Sequence, residues 1–359
     1  MLIDLIAGNK PDLYKIAPVL AALQKEQDSG ADIGYRLIYT HTKNDPDQEH
    51  DAHVPTPNIF LDATEQTPAT LTAAVMVRYE KLLATAMPEI VMIFGHSTGA
   101  MACTLAASKM PDLRIAHIGS GIRSYHRNAE DEINRRIIDS ITDYHFTISQ
   151  SSGENMRNEG VADDYVFFVG NPIADFLHTA MPDINPPGFW DLLHLQPQRY
   201  ILLQLEHPLI AGSPSRLKNL LLTIIRLSKN LPIIIPANPI LSKTLNTIGI
   251  KAPNLHIVNL PDTAALYYLA KYSKVTITDT EQLQDETTIM QVPCMTLLKS
   301  MARYDTYTGG FNEIVGMQTE TITAAFHRLF NGEWKKGRIP YFWDGKSAER
   351  IIAVLRKLS

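Results

Sequence analysis

Short apolar runs alternate with stretches of helical periodicity along most of the chain. Met1–Ala7 reads as a strand, followed by a Gly-Asn-Lys-Pro turn and an amphipathic helix over Leu13–Lys25. Tyr35–Thr40, Glu89–Phe94, Arg114–Ile118 and Tyr144–Ser149 read as further strands. Leu71–Met87, Met101–Lys109 and Glu130–Ile141 read as the helices between them. Strands this apolar, separated by helices, are expected in parallel sheets covered on both faces. The rhythm pauses at Pro182–Pro197, where four prolines mark a linker. It restarts with strands at Tyr200–Leu205, Ile233–Ile235, His256–Val258, Val275–Thr278 and Cys294–Leu298.

The expectation is therefore an α/β protein of two Rossmann-like, doubly wound domains. The first spans 1–181, the linker 182–198 and the second 199–359. The last helix, Ser347–Leu358, is free to pack on either domain. Open α/β sheets bind ligands at the carboxyl ends of their strands, so two such domains facing a central cleft would carry chemistry in the turns after strands.

Composition narrows the class. The 359 residues are 45% hydrophobic and 20% charged, as in globular proteins, which argues against long disorder. Lys and Arg number 33 against 38 Asp and Glu, so the net charge of −5 speaks against a nucleic-acid-coating surface. No apolar run approaches the ~18 residues a membrane helix needs. Met1–Asp12 has neither a basic stretch nor a small-residue cleavage site, so a cytoplasmic protein is expected. Cys103 and Cys294 lie in apolar surroundings and read as two buried thiols.

Several turns could carry chemistry. Gly8-Asn9-Lys10-Pro11-Asp12 opens a helix, and Lys10 and Lys15 add cations that favour an anionic ligand. His117 to Arg123 is glycine-rich but lacks dinucleotide-site spacing. Asp131 and Arg135 share a helical face, either as solvated ion pairs or as an acid/base beside an anion clamp. His207 ends the first strand of the second domain. Thr278 to Glu286 follows another strand; Thr280 could cap a helix that carries Glu286, a carboxylate suited to ribose hydroxyls. Metalloprotease, hydrolase-elbow and P-loop signatures are absent.

Together these segments resemble the non-hydrolysing UDP-N-acetylglucosamine 2-epimerases, whose two-domain fold is shared with GT-B glycosyltransferases. The resemblance covers nearly the whole chain. The family's Gly-Thr-Arg-Pro-Glu is here Gly8 to Asp12, followed by Lys15, Ala17 and Pro18. Its His-Val-Glu-Ala-Gly-Leu-Arg is His117 to Arg123, and its Pro-Glu-Glu-Ala-Asn-Arg is Glu130 to Arg135. Tyr144-His145-Phe146, Gly170-Asn171, His207, Asn238-Pro239, Thr278-Asp279 through Glu286, and Arg303 follow in the family's order.

There are also departures. Where the family has an Asp and two Glu around the sugar, this chain has His96, Gly119 and Asp131. The Ser-Gly-Gly that cradles the diphosphate is Thr280-Glu281-Gln282, and the Arg-Arg-Glu after the family's His is Pro208-Leu209-Ile210. The resemblance implies His96, Asp131 and His207 as catalytic residues. It implies Lys10, Lys15, Asn134, Arg135, Thr280 and Glu286 as binders of substrate and nucleotide. The expected ligand is a nucleotide-sugar of the UDP type, with no cofactor, no metal, no nucleic acid and no membrane insertion; a homodimer is a further expectation. The lost carboxylates predict modified chemistry at the sugar. Two alternatives share the fold: a glycosyltransferase using a nucleotide-sugar donor, and a non-catalytic sugar-nucleotide-binding pseudoenzyme.

Overall fold

The computed structural model describes residues 1–42, 53–298 and 302–358. They form two compact units, Met1–Ala180 with Tyr341–Ser359, and Met181–Pro340.

The first unit is built on β1 (Leu2–Ala7), β2 (Gly34–Tyr39), β3 (Ile59–Phe60), β4 (Ile90–Phe94), β5 (Arg114–Ser120), β6 (Tyr144–Thr147) and β7 (Val166–Phe168). All pairings are parallel, in the order β3-β2-β1-β4-β5-β6-β7. The connecting helices are α1 (Lys10–Asp28), α2 (Pro68–Thr85), α3 (Thr98–Ala107), α4 (Glu130–Ser140), α5 (Gln150–Asn158) and α6 (Pro172–Ala180). β1 shows why its run is apolar throughout: Ile3, Leu5 and Ala7 face the core under α1, while Ile6 faces the one under α2 and α3. A strand covered on both faces has no solvent side to leave polar. Asp4 is the exception, and its buried carboxylate takes Nε and Nη2 of Arg36 at 2.6 and 2.8 Å and the Tyr79 hydroxyl at 2.9 Å.

The second unit repeats the plan with β8 (Ile201–Gln204), β9 (Ile233–Pro236), β10 (Leu255–Val258), β11 (Val275–Thr278), β12 (Cys294–Thr296) and β13 (Asn312–Ile314), ordered β10-β9-β8-β11-β12-β13. Its helices are α7 (Pro208–Ala211), α8 (Pro214–Leu227), α9 (Pro239–Ile248), α10 (Thr263–Tyr272), α11 (Glu281–Met290), α12 (Tyr304–Thr308) and α13 (Thr319–Phe330). Both sheets reverse their winding in the middle, between β1 and β4 and between β8 and β11. The segments after those four strands hold Lys10, Lys15, His96, His207, Thr280 and Glu286, while Asp131, Asn134 and Arg135 lie on α4, after β5.

One boundary differs from the expectation of a second domain running through 359. The final helix, α14 (Ser347–Leu358), belongs to the first unit. Its buried face, Ala348, Ile351, Ile352 and Leu355, completes the core under α1. Asp175 of α6 accepts from the Ala348 N–H at 2.8 Å, and the Trp343 indole donates to the Ile148 carbonyl at 2.8 Å. Cys103 and Cys294 are buried free thiols. Among the described residues, no helix is long and apolar enough to cross a membrane.

Candidate functional site

In the first unit the turns after β1 and β4 pack against each other. Asn9 caps α1 by accepting from the Asp12 N–H at 3.2 Å. The Asp12 carboxylate folds back to the Gly8 N–H at 3.2 Å and pairs with Lys15 Nζ at 3.3 Å. Burial pushes the Asp12 pKa up, and Lys15 only partly offsets it. Gly95, at φ +75°, passes so close that any Cβ there would overlap the Asp12 carboxylate. This close approach requires glycine and delivers the next residue, His96, to the carboxyl end of the sheet. Lys10 opens α1, half-buried.

α4 supplies the partners of His96. Asp131, Asn134 and Arg135 are spaced to share one helical face. Asn134 Nδ2 donates to the His96 carbonyl at 3.0 Å, and Arg135 Nη2 lies 3.1 Å from His96 Nε2. A guanidinium only donates, so Nε2 accepts at this contact. Asp131 Oδ2 is 3.8 Å from the same nitrogen, and its side chain is 62% exposed. Arg135 also reaches Glu132, whose carboxylate lies 3.8 Å from its Nη1. Glu132 is buried and accepts from the Ser124 N–H at 2.7 Å and from Arg136 Nε at 2.9 Å. Burial raises its pKa, but those donors outweigh it and leave it lowered.

A second buried cluster lies behind this one, and sequence reasoning missed its centre, Asp139. His117 has Nδ1 2.6 Å from Asp139 Oδ1 and Nε2 3.0 Å from the Gly95 carbonyl oxygen. Asp139 also accepts from Ser120 Oγ at 2.6 Å, the Gly121 N–H at 3.1 Å and Arg123 Nη1 at 2.6 Å. Arg123 continues to Glu159 through two bonds of 2.8 and 2.6 Å. Burial works against the Asp139 charge, but His117, Arg123 and Ser120 hold its carboxyl well below the usual range. The only sequence signal was position: Asp139 falls four residues after Arg135, at one turn's spacing. Gly119 sits in this stretch at φ +95°, with open space around an added Cβ apart from Ile122 Cδ1 at 3.8 Å.

In the second unit, Asp279 ties the two central strand ends together. Its carboxylate accepts from the Glu206 N–H at 2.9 Å and the His207 N–H at 3.1 Å. Burial raises its pKa more than those bonds lower it. His207 is half-buried and uses Nδ1 to accept from the Leu209 N–H at 3.2 Å, capping the short α7. That bond leaves Nε2 as the nitrogen that bears the proton when the ring is neutral. The expectation that Thr280 caps a helix is met in position only: it is the N-cap residue of α11, but its side chain makes no capping bond, and its hydroxyl lies 3.0 Å from that of Thr278. Glu286 is buried and accepts from Gln282 Nε2 at 2.7 Å. Glu281, the carboxylate that breaks the family's Ser-Gly-Gly, lies 3.8 Å from the buried Arg303 guanidinium, which also reaches Asp285 at 3.2 Å. Among the described residues, no three His, Cys, Asp or Glu side chains are grouped to hold a metal ion.

The structure thus brings His96, Asp131, Asn134 and Arg135 into one cluster, with Lys15 at the neighbouring turn. His207 and Thr280 follow the two central strands of the second sheet, and Glu286 lies further along α11.

The family model for UDP-N-acetylglucosamine 2-epimerase matches residues 30–356. The chain belongs to this family. A UDP-N-acetylglucosamine 2-epimerase of Methanocaldococcus jannaschii is 27% identical over 372 residues, with 99% of each chain covered. Its crystal structure in complex with UDP-GlcNAc and UDP superposes with a TM-score of 0.86, covering 99% of this chain and all of that one. The UDP-GlcNAc 2-epimerase from Neisseria meningitidis bound to UDP-GlcNAc shares the fold at 21% identity, with a TM-score of 0.86 and coverage of 99% and 100%. A Pseudomonas aeruginosa relative, a UDP-2,3-diacetamido-2,3-dideoxy-D-glucuronate 2-epimerase, is 24% identical over 361 residues, covering 98% of this chain and 99% of its own.

Proposed function

We propose that this epimerase-family chain binds a UDP-sugar and acts on the sugar with proton-handling groups of its own. The M. jannaschii and N. meningitidis proteins are each described with UDP-GlcNAc bound, while the P. aeruginosa relative acts on a different UDP-sugar. The nucleotide is common to these relatives and the sugar varies, so the substrate class here is the UDP-sugar.

In this reading the second unit holds the nucleotide. Glu286 is the ribose carboxylate, Thr280 opens the helix beside the phosphates, and His207 presents its Nε2. The first unit handles the sugar and negative charge. Lys10, Lys15 and Arg135 are the cations, Asn134 fixes the His96 backbone, and His96 and Asp131 are the proton-transfer pair. The observation that carries the reading is the His96 cluster, in which one imidazole nitrogen lies 3.1 Å from Arg135 and 3.8 Å from Asp131. An anionic ligand competes with the imidazole for the guanidinium. The freed Nε2 can then take a proton, and Asp131 beside it stabilises the imidazolium. Gly119 contributes no carboxylate. Loss of one positioned acid/base group typically costs a factor of about 10²–10⁴, so turnover at C2 falls below that of an enzyme with the full carboxylate set.

The test is product analysis after incubation with a panel of UDP-sugars, read by NMR and paired with calorimetric binding of UDP. Binding with a changed sugar as product supports the proposal. A chain that binds neither UDP nor any UDP-sugar overturns it, and transfer of the sugar to an acceptor replaces it with the glycosyltransferase reading.

A further inference from the structure

His96 is pinned from two sides by groups outside its own turn. Asn134 takes its carbonyl, and His117 takes the carbonyl of the residue before it, Gly95. The His117 end of this arrangement is set by Asp139. The two His117 nitrogens bond the carboxylate of Asp139 on one side and the carbonyl of Gly95 on the other, so the plane of the ring is fixed. Asp139 cannot move either, because Ser120, the Gly121 N–H and Arg123 occupy its remaining lone pairs at 2.6 to 3.1 Å. Arg123 is anchored in turn by Glu159. Packing alone would not require this set, since buried charges of this kind add little over apolar residues of similar volume. What the set does is fix one direction, from Asp139 through His117 to the Gly95 carbonyl.

We infer that Asp139 is a positioning residue for the chemistry at His96, acting through His117 and the Gly95 carbonyl. The inference rests on the reading of His96 as a proton-transfer group. Gly95 adopts φ +75° and has no side chain to restrain it, so the His117 bond is what sets its carbonyl direction and hence the path of the chain into His96. A displacement of about 1 Å at a proton-transfer group is enough to cost on the order of a hundred-fold in rate.

The experiment uses the full chain labelled with ¹⁵N at histidine, with the His96 resonance assigned by its loss in His96→Gln. Asp139→Asn, His117→Gln and the double variant are compared with wild type, and Ile138→Val serves as a control for general loosening of the same helix. The Asp139 and His117 variants are expected to shift the His96 ring resonance, and Ile138→Val to leave it in place. On a UDP-sugar that wild type turns over, each single variant should lower kcat roughly ten- to a hundred-fold with little change in KM. The double variant should fall no further than the worse single, as expected for two residues on one line of contact. An unmoved His96 resonance in His117→Gln, or losses that multiply in the double variant, would overturn the inference. If Asp139→Asn does not fold, His117→Gln decides alone. A wild-type chain that binds no UDP-sugar removes the functional reading, whereas the positioning stands or falls on the resonance.

Discussion

Glu286 and Asp139 are both buried carboxylates, yet they differ in what they hold. The bond from Gln282 is local to α11, and a carboxylate facing ribose hydroxyls would make charge-assisted bonds worth roughly 1.5–3 kcal/mol. Glu286→Ala should therefore weaken UDP about ten- to a hundred-fold in calorimetry, and equal affinity would remove Glu286 from the nucleotide site. Asp139 instead draws its donors from β5 and the loop after it. Removing one partner of a buried charge network costs roughly 3–5 kcal/mol, which urea unfolding of Asp139→Asn at pH 7 should register. The pH dependence follows from the direction of its shift. The folded carboxyl is held below its ordinary value, so its contribution is complete above about pH 4. As pH falls below that, the gap between wild type and Asp139→Asn should narrow by up to about 1.4 kcal/mol per pH unit. A gap that widens on acidification would contradict the assignment. The candidates named from the sequence, Lys10, Lys15, His96, Asp131, Asn134, Arg135, His207, Thr280 and Glu286, all fall in turns after strands or on the helices that follow them, and His96 and Asn134 were named through the family resemblance. Asp139 was not readable because its partners lie about 16 to 22 positions away and meet it only in the fold.

Elements were legible in proportion to their length. Five strands of the first sheet and five of the second were visible as apolar runs. β3, β7 and β13, at two, three and three residues, were not read as strands, whereas β12, equally short, was visible because it begins the longer run Cys294–Leu298. α14 was visible as a helix from its periodicity, but its docking was not, because an apolar face does not say which core it completes. Ile351 now answers that, fully buried under α1. Ile351→Ala should cost about 2–5 kcal/mol of unfolding free energy, and a loss under 1 kcal/mol would contradict docking of α14 on the first unit. The β4–α3 turn makes a sharper case. Gly95→Ala forces a non-glycine residue to φ +75° and a methyl into Asp12, so the backbone alone should cost about 1–2 kcal/mol. Denaturant unfolding that finds the variant as stable as wild type would mean that the two turns are not packed as described.

At the scale of the whole molecule, two successive doubly wound sheets follow from strand–helix alternation and the right-handed crossover rule, and the structure has both. Family membership also rested on the order of the motifs along the chain, which survives even where single motifs are altered. What the order of motifs could not convey is how the altered positions are accommodated. Arg303 lies across Glu281 and Asp285, and Arg135 reaches both His96 and Glu132.

The central claim is that a UDP-sugar is bound but that the C2 proton is handled without the family's carboxylates. Deuterium incorporation at C2 of UDP-N-acetylglucosamine in heavy water, followed by mass spectrometry, tests it most directly, because inversion by proton loss and return must exchange that hydrogen with solvent. The expected result is slow or absent incorporation, with any residual rate falling further in Asp131→Asn. Rapid incorporation at ordinary enzymatic rates of about 1–10³ s⁻¹, unaffected by Asp131→Asn, would contradict it and restore a plain 2-epimerase.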